Sequence, residues 1–258
     1  MLPRVIPLLL LKGRGLVKTV RFKEPVYIGD PRNAVRIFNE KEVDELPLLD
    51  IAATPKGRGP QFDLVREIVS EAFMPVAYGG GVRSVEDARA LFSVGVEKVV
   101  VATAATEDPD FVARAADAFG SQSVVVCLDV KRTVFGRYEV LTHGGKKATR
   151  QNPVDFARRM EELDAGELVV NATDQDGTMA GYDLALLKDA TGTVKVPVIA
   201  CGGAGRLEDF SAAIHLGNAS AVAAGSFFVF HGATRAVLIS YPPPGDLRAA
   251  FEGGEGKR

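Results

Sequence analysis

Asp129 closes the apolar run Val124-Val125-Val126-Cys127-Leu128, which places a carboxylate at the end of a stretch of strand length. A carboxyl group at the mouth of an apolar site can give or take a proton; an aspartate in that place can equally serve nearby backbone amides. Two glycine clusters suggest a second chemistry. Gly79-Gly80-Gly81 and Gly202-Gly203-Ala204-Gly205 each follow an apolar run and precede a helical pattern, so their backbone can approach an anion at the helix start. One such cluster is also an ordinary tight turn. These two, however, occupy matched positions: PVAYGGGVRSVEDARALFSVG from Pro75 aligns with PVIACGGAGRLEDFSAAIHLG from Pro197, an offset of 197 − 75 = 122 residues. Matched cradles point to a ligand with two phosphates. Asp174-Gln175-Asp176-Gly177-Thr178 adds carboxylates and a hydroxyl, although Asp-Gly is a common turn as well.

Arg4, Glu45, Lys98 and Glu167 each begin an apolar run. Two positive and two negative charges can close a salt-bridged ring, and they can also mark nothing more than strand ends that meet water.

The elements that must position these residues alternate along the chain. Apolar runs of strand length recur at Arg4 to Leu11, Glu45 to Ile51, Pro75 to Tyr78, Lys98 to Val101, Ser123 to Asp129, Glu167 to Asn171, Pro197 to Cys201 and Ser220 to Ala223. Helical periodicity fills intervals such as 62–73, 84–95, 108–119, 153–163 and 207–216. Ser84 and Asp87 form a capping-box pattern at the start of one of them, and Gly95 closes it. Alternation predicts a parallel sheet, and a half-length repeat predicts two half-barrels closed into one α/β (β/α)8 TIM barrel. In such a barrel the site lies at the carboxyl ends of the strands. The expected barrel spans residues 1–241, with an inserted hairpin at Val134 to Leu141 and a frayed tail over 242–258 that begins in prolines and ends in glycines.

Composition excludes several classes. With 258 residues, 47% hydrophobic and 25% charged, and a net charge of −2, neither disorder nor a nucleic-acid partner is expected. Val5 to Leu11 is too short to span a membrane, and no cleavable leader follows it, so a cytoplasmic protein is expected. Cys127 and Cys201 read as reduced core thiols, and His143, His215 and His231 have no ligand spacing. Neither a metal nor a cofactor is expected.

The stretches VDELPLLDI, YGGGVRSVEDARALF, FGSQSVVVCLDVKR, THGGKKATR, DQDGTMAGYDL and PVIACGGAG resemble the cyclase subunit family of imidazole glycerol phosphate synthase, the HisF barrel of ribulose-phosphate-binding type, from Arg4 to about Tyr241. The resemblance implies a HisH-type glutaminase docked on the amino-terminal face, ammonia passing through the barrel, and a bisphosphorylated ribonucleotide substrate. It places the ammonia gate on Arg4, Glu45, Lys98 and Glu167, and the phosphate and substrate contacts on Lys18, Gly80, Gly81, Thr103, Asp176, Gly177, Gly202, Gly203, Ala224 and Gly225. The family's acid/base pair falls on Asp129 and on Leu10, which cannot transfer a proton. Other departures are Ala102 for asparagine, Asn171 for threonine, Cys201 and Gly225 for serine, and Lys12-Gly13-Arg14-Gly15 in the loop after the first strand.

LVKTVRF, RIFNEKEVDELPLLDI, ACGGAG, SFFVFHG and RAVLISYP resemble one branch, the glycosyl amidation-associated (WbuZ-like) paralogue of surface-polysaccharide pathways. That implies ammonia delivery toward a sugar acceptor. Three other readings stand beside it. One is the histidine-pathway cyclase with Asp50 or Asp174 as a displaced acid, and another is a silent scaffold that only activates the glutaminase. The third is an isomerase of the neighbouring half-barrel family, which shares the glycine cradles and which Leu10 disfavours as much as the cyclase.

Overall fold

The structure, a computed structural model, describes residues 2–232 and 234–253. Eight strands form the barrel wall: β1 (Arg4–Pro7, continued by Leu9–Lys12), β2 (Leu46–Asp50), β3 (Val76–Gly79), β4 (Lys98–Val101), β5 (Val124–Arg132), β6 (Glu167–Ala172), β7 (Val198–Cys201) and β8 (Ala221–Ala224). Each pairs in parallel with the next, and β1 closes the circle, with Arg4–Pro7 against β8 and Leu9–Lys12 against β2. The ladder passes from one neighbour to the other at Leu8, whose N–H donates to the Ala224 carbonyl at 2.9 Å. The fold is the (β/α)8 barrel that the alternating pattern predicts.

One helix follows each strand: α1 (Pro31–Glu40), α2 (Phe62–Val69), α3 (Val85–Ser93), α4 (Asp110–Phe119), α5 (Pro153–Glu162), α6 (Leu184–Thr191), α7 (Leu207–His215) and α8 (Pro244–Glu252). Strand side chains alternate between two cores, as a period of two requires. On β5 and β6, Val124, Val126, Leu128, Leu168 and Val170 face the helices, while Val125, Cys127 and Val169 face the barrel interior. The same parity carries Glu167 inward at the lower end of β6 and Asn171 inward at its upper end. It carries Arg4 inward on β1 as well, and Leu10 six residues on.

The tail expected over 242–258 is corrected by the structure. Residues 244–252 form α8, which completes the helical ring and packs on α7 with Leu247 and Phe251 buried. Pro244 occupies the first helical turn, where a missing N–H costs nothing and a fixed φ is favourable. A proline run that reads as a chain end is here a helix start, so the boundary at 241 cuts through the barrel. Residues 254–258 lie outside those described.

A second difference is the loop after β1, which carries an antiparallel hairpin of Gly15–Val20 and Lys23–Gly29. Its turn uses Arg21 and Phe22 at φ 51° and 62°, a two-residue geometry that glycine and asparagine usually signal. The hairpin expected after β5 runs from β5 itself through a turn at Gly136 to a strand at Tyr138–Thr142. At α3, Ser84 accepts from the Asp87 N–H at 3.0 Å, but the Asp87 carboxylate accepts from Arg83 rather than from Ser84. Gly95 takes φ 99° as expected.

Candidate functional site

The upper end of the barrel opens into a cavity of about 450 Å³. Asp129 and Leu10 line it, together with Lys18, Gly80, Gly81, Thr103, Asp176, Gly177, Gly202, Gly203, Ala224 and Gly225. The structure therefore gathers into one space the proton-transfer position and the phosphate and substrate residues of the sequence reading, from the upper ends of β1 to β8.

The two glycine cradles have the backbone that their composition suggested. Gly80 and Gly81 take φ 112° and 77°, and Gly202 and Gly203 take 85° and 120°. Added Cβ atoms would stand 2.4 Å from the Asp50 carbonyl at Gly80 and 2.0 Å from the Gly181 carbonyl at Gly203. Both conformation and close approach demand glycine. The repeat extends to the helix starts: Asp87 accepts from Arg83 N, and Asp209, 122 residues on (209 − 87), accepts from Gly205 N and Arg206 N. These carboxylates occupy the amides beyond each cradle and leave the glycine segments as the place for an anion.

Lys18 reaches the cavity from the hairpin after β1. Its Nζ donates to both Asp176 oxygens at 3.0 and 3.2 Å, and both residues are buried. The pair ties the hairpin to the loop after β6, and so does Gly177, where a Cβ would meet the Thr19 carbonyl at 2.3 Å. At Gly225 a Cβ would approach the Lys18 Cε to 2.9 Å, a contact that the flexible lysine side chain can relieve. Thr103 opens a short helix, Thr103–Glu107, and its hydroxyl accepts from His143 N. Lys12, Lys56 and Lys146 also line the cavity, cations that sequence reading missed as site residues because they come from three segments far apart in the chain. They suit an anionic ligand.

Asp129 is set apart from the other carboxylates. Burial raises its pKa to about 6, offset by the Asn171 amide and the Cys127 thiol and reinforced by the charge of Asp176. Asn171 Nδ2 donates to Asp129 Oδ1 at 2.8 Å. A carboxyl group so tuned changes charge near neutrality, as a general acid or base should. Of the two proposed substitutes for the missing partner, Asp50 lines the cavity with its carboxylate already engaged, and Asp174 lies outside it. The Asp50 carboxylate accepts from Ala52 N and Gln61 Nε2 and pairs with Arg58, with its side chain wholly buried. Asp174 accepts from Arg132 N and does not line the cavity. Leu10 itself is 8% exposed, and the position offers only an apolar surface.

At the lower end the four charges form a closed ring. Arg4 donates to Glu45 at 2.8 Å and to Glu167 at 2.5 Å, and Lys98 donates to the same two carboxylates at 2.9 Å each. Burial works to lower the Arg4 pKa, and the ion pairs with Glu167 and Glu45 outweigh it, so the net shift is upward. The ring is more than a row of solvated strand ends. Above it lies a small cavity of about 20 Å³, room for about one molecule the size of water or ammonia. Apolar side chains including Ile6, Leu8, Val125, Val169 and Ile199 line it, with Glu45 below and Cys127 above.

A family model described as histidine biosynthesis protein matches residues 4–234. The chain belongs to that family. Within it, the chain is 52% identical over 239 residues to a Pseudomonas aeruginosa protein provisionally named imidazole glycerol phosphate synthase subunit hisF2, covering 93% of this chain and 95% of the relative. It is 46% identical over 250 residues to a Leptospira borgpetersenii protein provisionally named as the HisF subunit of that synthase, covering 96% and 98%. A Vibrio vulnificus relative provisionally named hisF3 is also 46% identical over 250 residues, covering 96% of each chain. This histidine biosynthesis family member is thus HisF-like over nearly its whole length. Among the described residues no helix is long and apolar enough to cross a membrane.

Proposed function

We propose that this chain is the cytoplasmic, HisF-type barrel subunit of a glutamine amidotransferase complex. A HisH-type glutaminase docks on the end that carries the charged ring, ammonia passes the ring and the apolar bore, and a phosphorylated ligand waits in the upper cavity. The pathway is sugar amidation in surface-polysaccharide biosynthesis, as in the WbuZ-like branch that the sequence resembles.

Leu10 carries this reading. A complete entrance and two glycine cradles accompany a site with one proton-transfer group where cyclase chemistry calls for two, so delivery is supported over full cyclase turnover. Leu2 and Phe73, 38% and 89% exposed on the segments that enter β1 and β3, give the ring end apolar surface for a partner. The second reading, the cyclase of histidine biosynthesis, is favoured by the Asp129 pKa of about 6 and by the names of the relatives.

Glutamine hydrolysis by a HisH-type glutaminase tests the proposal when it is followed with and without this chain. Stimulation is expected with the unaltered chain, and its loss with Lys98→Ala, which opens the ring on both sides. Equal hydrolysis in all three mixtures would overturn it.

A further inference from the structure

The hairpin that extends β5 is pinned at its base. Arg132 N donates to Asp174 Oδ2 at 2.8 Å, and the Tyr138 hydroxyl meets both Asp183 oxygens at 3.0 and 2.9 Å, which ties the hairpin to the segment between β6 and α6. Its turn runs from Thr133 to Gly136. Gly136 N donates to the Thr133 carbonyl at 2.9 Å, Thr133 N donates to the Arg137 carbonyl at 2.7 Å, and Gly136 takes φ 79°. The two central positions are Val134 and Phe135.

Central turn positions usually carry small or polar residues, and backbone hydrogen bonds close this turn without help from either side chain. Val134 and Phe135 are nonetheless 95% and 89% exposed. Scattered apolar residues on a surface are ordinary. An adjacent pair at the apex of a pinned projection differs, because no neighbouring element can cover it. Lys131 and Arg132 precede the turn and Arg137 follows it, all three exposed. None of the three is in a salt bridge among the described residues; the anion nearest in register is Glu139, opposite Lys131. The chain as a whole carries a net charge of −2, so this positive charge is local to the tip.

A convex knob of two side chains buries far less than the roughly 1,000 Å² that a specific protein interface needs. A bilayer surface asks for no matching pocket. Apolar tips enter the boundary between headgroups and acyl chains, and cations beside them stay among anionic headgroups. We propose that Val134 and Phe135, with Lys131, Arg132 and Arg137, dock the upper end of the barrel on an anionic membrane surface. The attachment is peripheral, with nothing spanning the bilayer. Because the hairpin continues β5, whose Asp129 lines the cavity, docking brings the cavity end to the membrane and leaves the charged ring at the far end. The inference stands apart from the delivery reading, since it needs only the hairpin and its charges.

The test sediments the purified full chain with vesicles of phosphatidylcholine alone and of phosphatidylcholine mixed with phosphatidylglycerol. Binding is expected on the mixed vesicles, weakening as salt is raised, and little on the neutral ones. Val134→Ser combined with Phe135→Ser should lower partitioning by about tenfold or more, and Lys131→Gln combined with Arg137→Gln by about tenfold. These positions lie on an exposed turn, so the thermal unfolding midpoint should stay that of the unaltered chain. Leu216→Ser removes an apolar residue that is 54% exposed just beyond α7, away from the hairpin, and should bind like the unaltered chain. No binding to the mixed vesicles, the outcome that a protein partner for the hairpin would give, overturns the proposal. So do equal binding to both kinds of vesicle and binding that the tip variants leave unchanged.

Discussion

At the scale of single residues the site is an imbalance of acid groups. Leu10 removes one proton-transfer position, Asp50 and Asp176 are each tied to a cation, and Asp129 alone among these cavity carboxylates has no cation partner among the described residues. Its folded pKa of about 6 lies above the value near 4 of an unfolded aspartate. The folded chain thus binds the proton more tightly, and Asp129 lowers stability progressively as pH rises from about 4 to about 6. By pH 8 the cost is on the order of 3 kcal/mol, from about two pKa units. Asp129→Asn should therefore be more stable than the unaltered chain in urea at pH 8, with the gain shrinking as pH falls toward 5; a gain independent of pH would contradict the assignment. The reverse applies at Lys18, because Lys18→Met strands the buried Asp176 carboxylate. A loss of about 3–5 kcal/mol is expected in the same unfolding assay.

At the scale of elements, parity explains why so much of the site was readable. Strands with a period of two, starting from charged residues, place Arg4, Glu45, Lys98 and Glu167 inward at one end and Asp129 and Asn171 inward at the other. The glycine cradles were legible because the repeat displays them twice. The β1 hairpin was not, since its turn puts Arg21 and Phe22 at positive φ without glycine or asparagine to announce it. Asn171 was visible only as a departure from the family pattern, because its importance lies in the hydrogen bond it donates to Asp129. α8 was hidden by the prolines that start it. Its role is testable through Phe251, 4% exposed against α7: Phe251→Ala should cost about 3 kcal/mol or more in thermal or urea unfolding. A change within about 0.5 kcal/mol would mean that 244–252 behaves as a tail after all.

At the scale of the whole molecule, a charged ring closes one end of the barrel, a cavity opens at the other, and a small apolar cavity lies between them; the two ends depart from the resembling family unequally. The ring end keeps every charge that the resemblance calls for. The cavity end keeps its glycines and Asp129 but replaces an acid with leucine. That inequality supports the proposed reading, in which the subunit receives ammonia without performing both halves of an acid/base reaction. The most direct test is turnover of the bisphosphorylated ribonucleotide of the histidine pathway by the purified chain, supplied with ammonium salts and with a HisH-type glutaminase and followed by ultraviolet absorbance. No turnover is expected, while glutamine hydrolysis is still stimulated in the complex. Turnover at an ordinary enzymatic rate, about 1 per second or faster, would contradict the account and make this chain a cyclase that has no need of a carboxylate at Leu10.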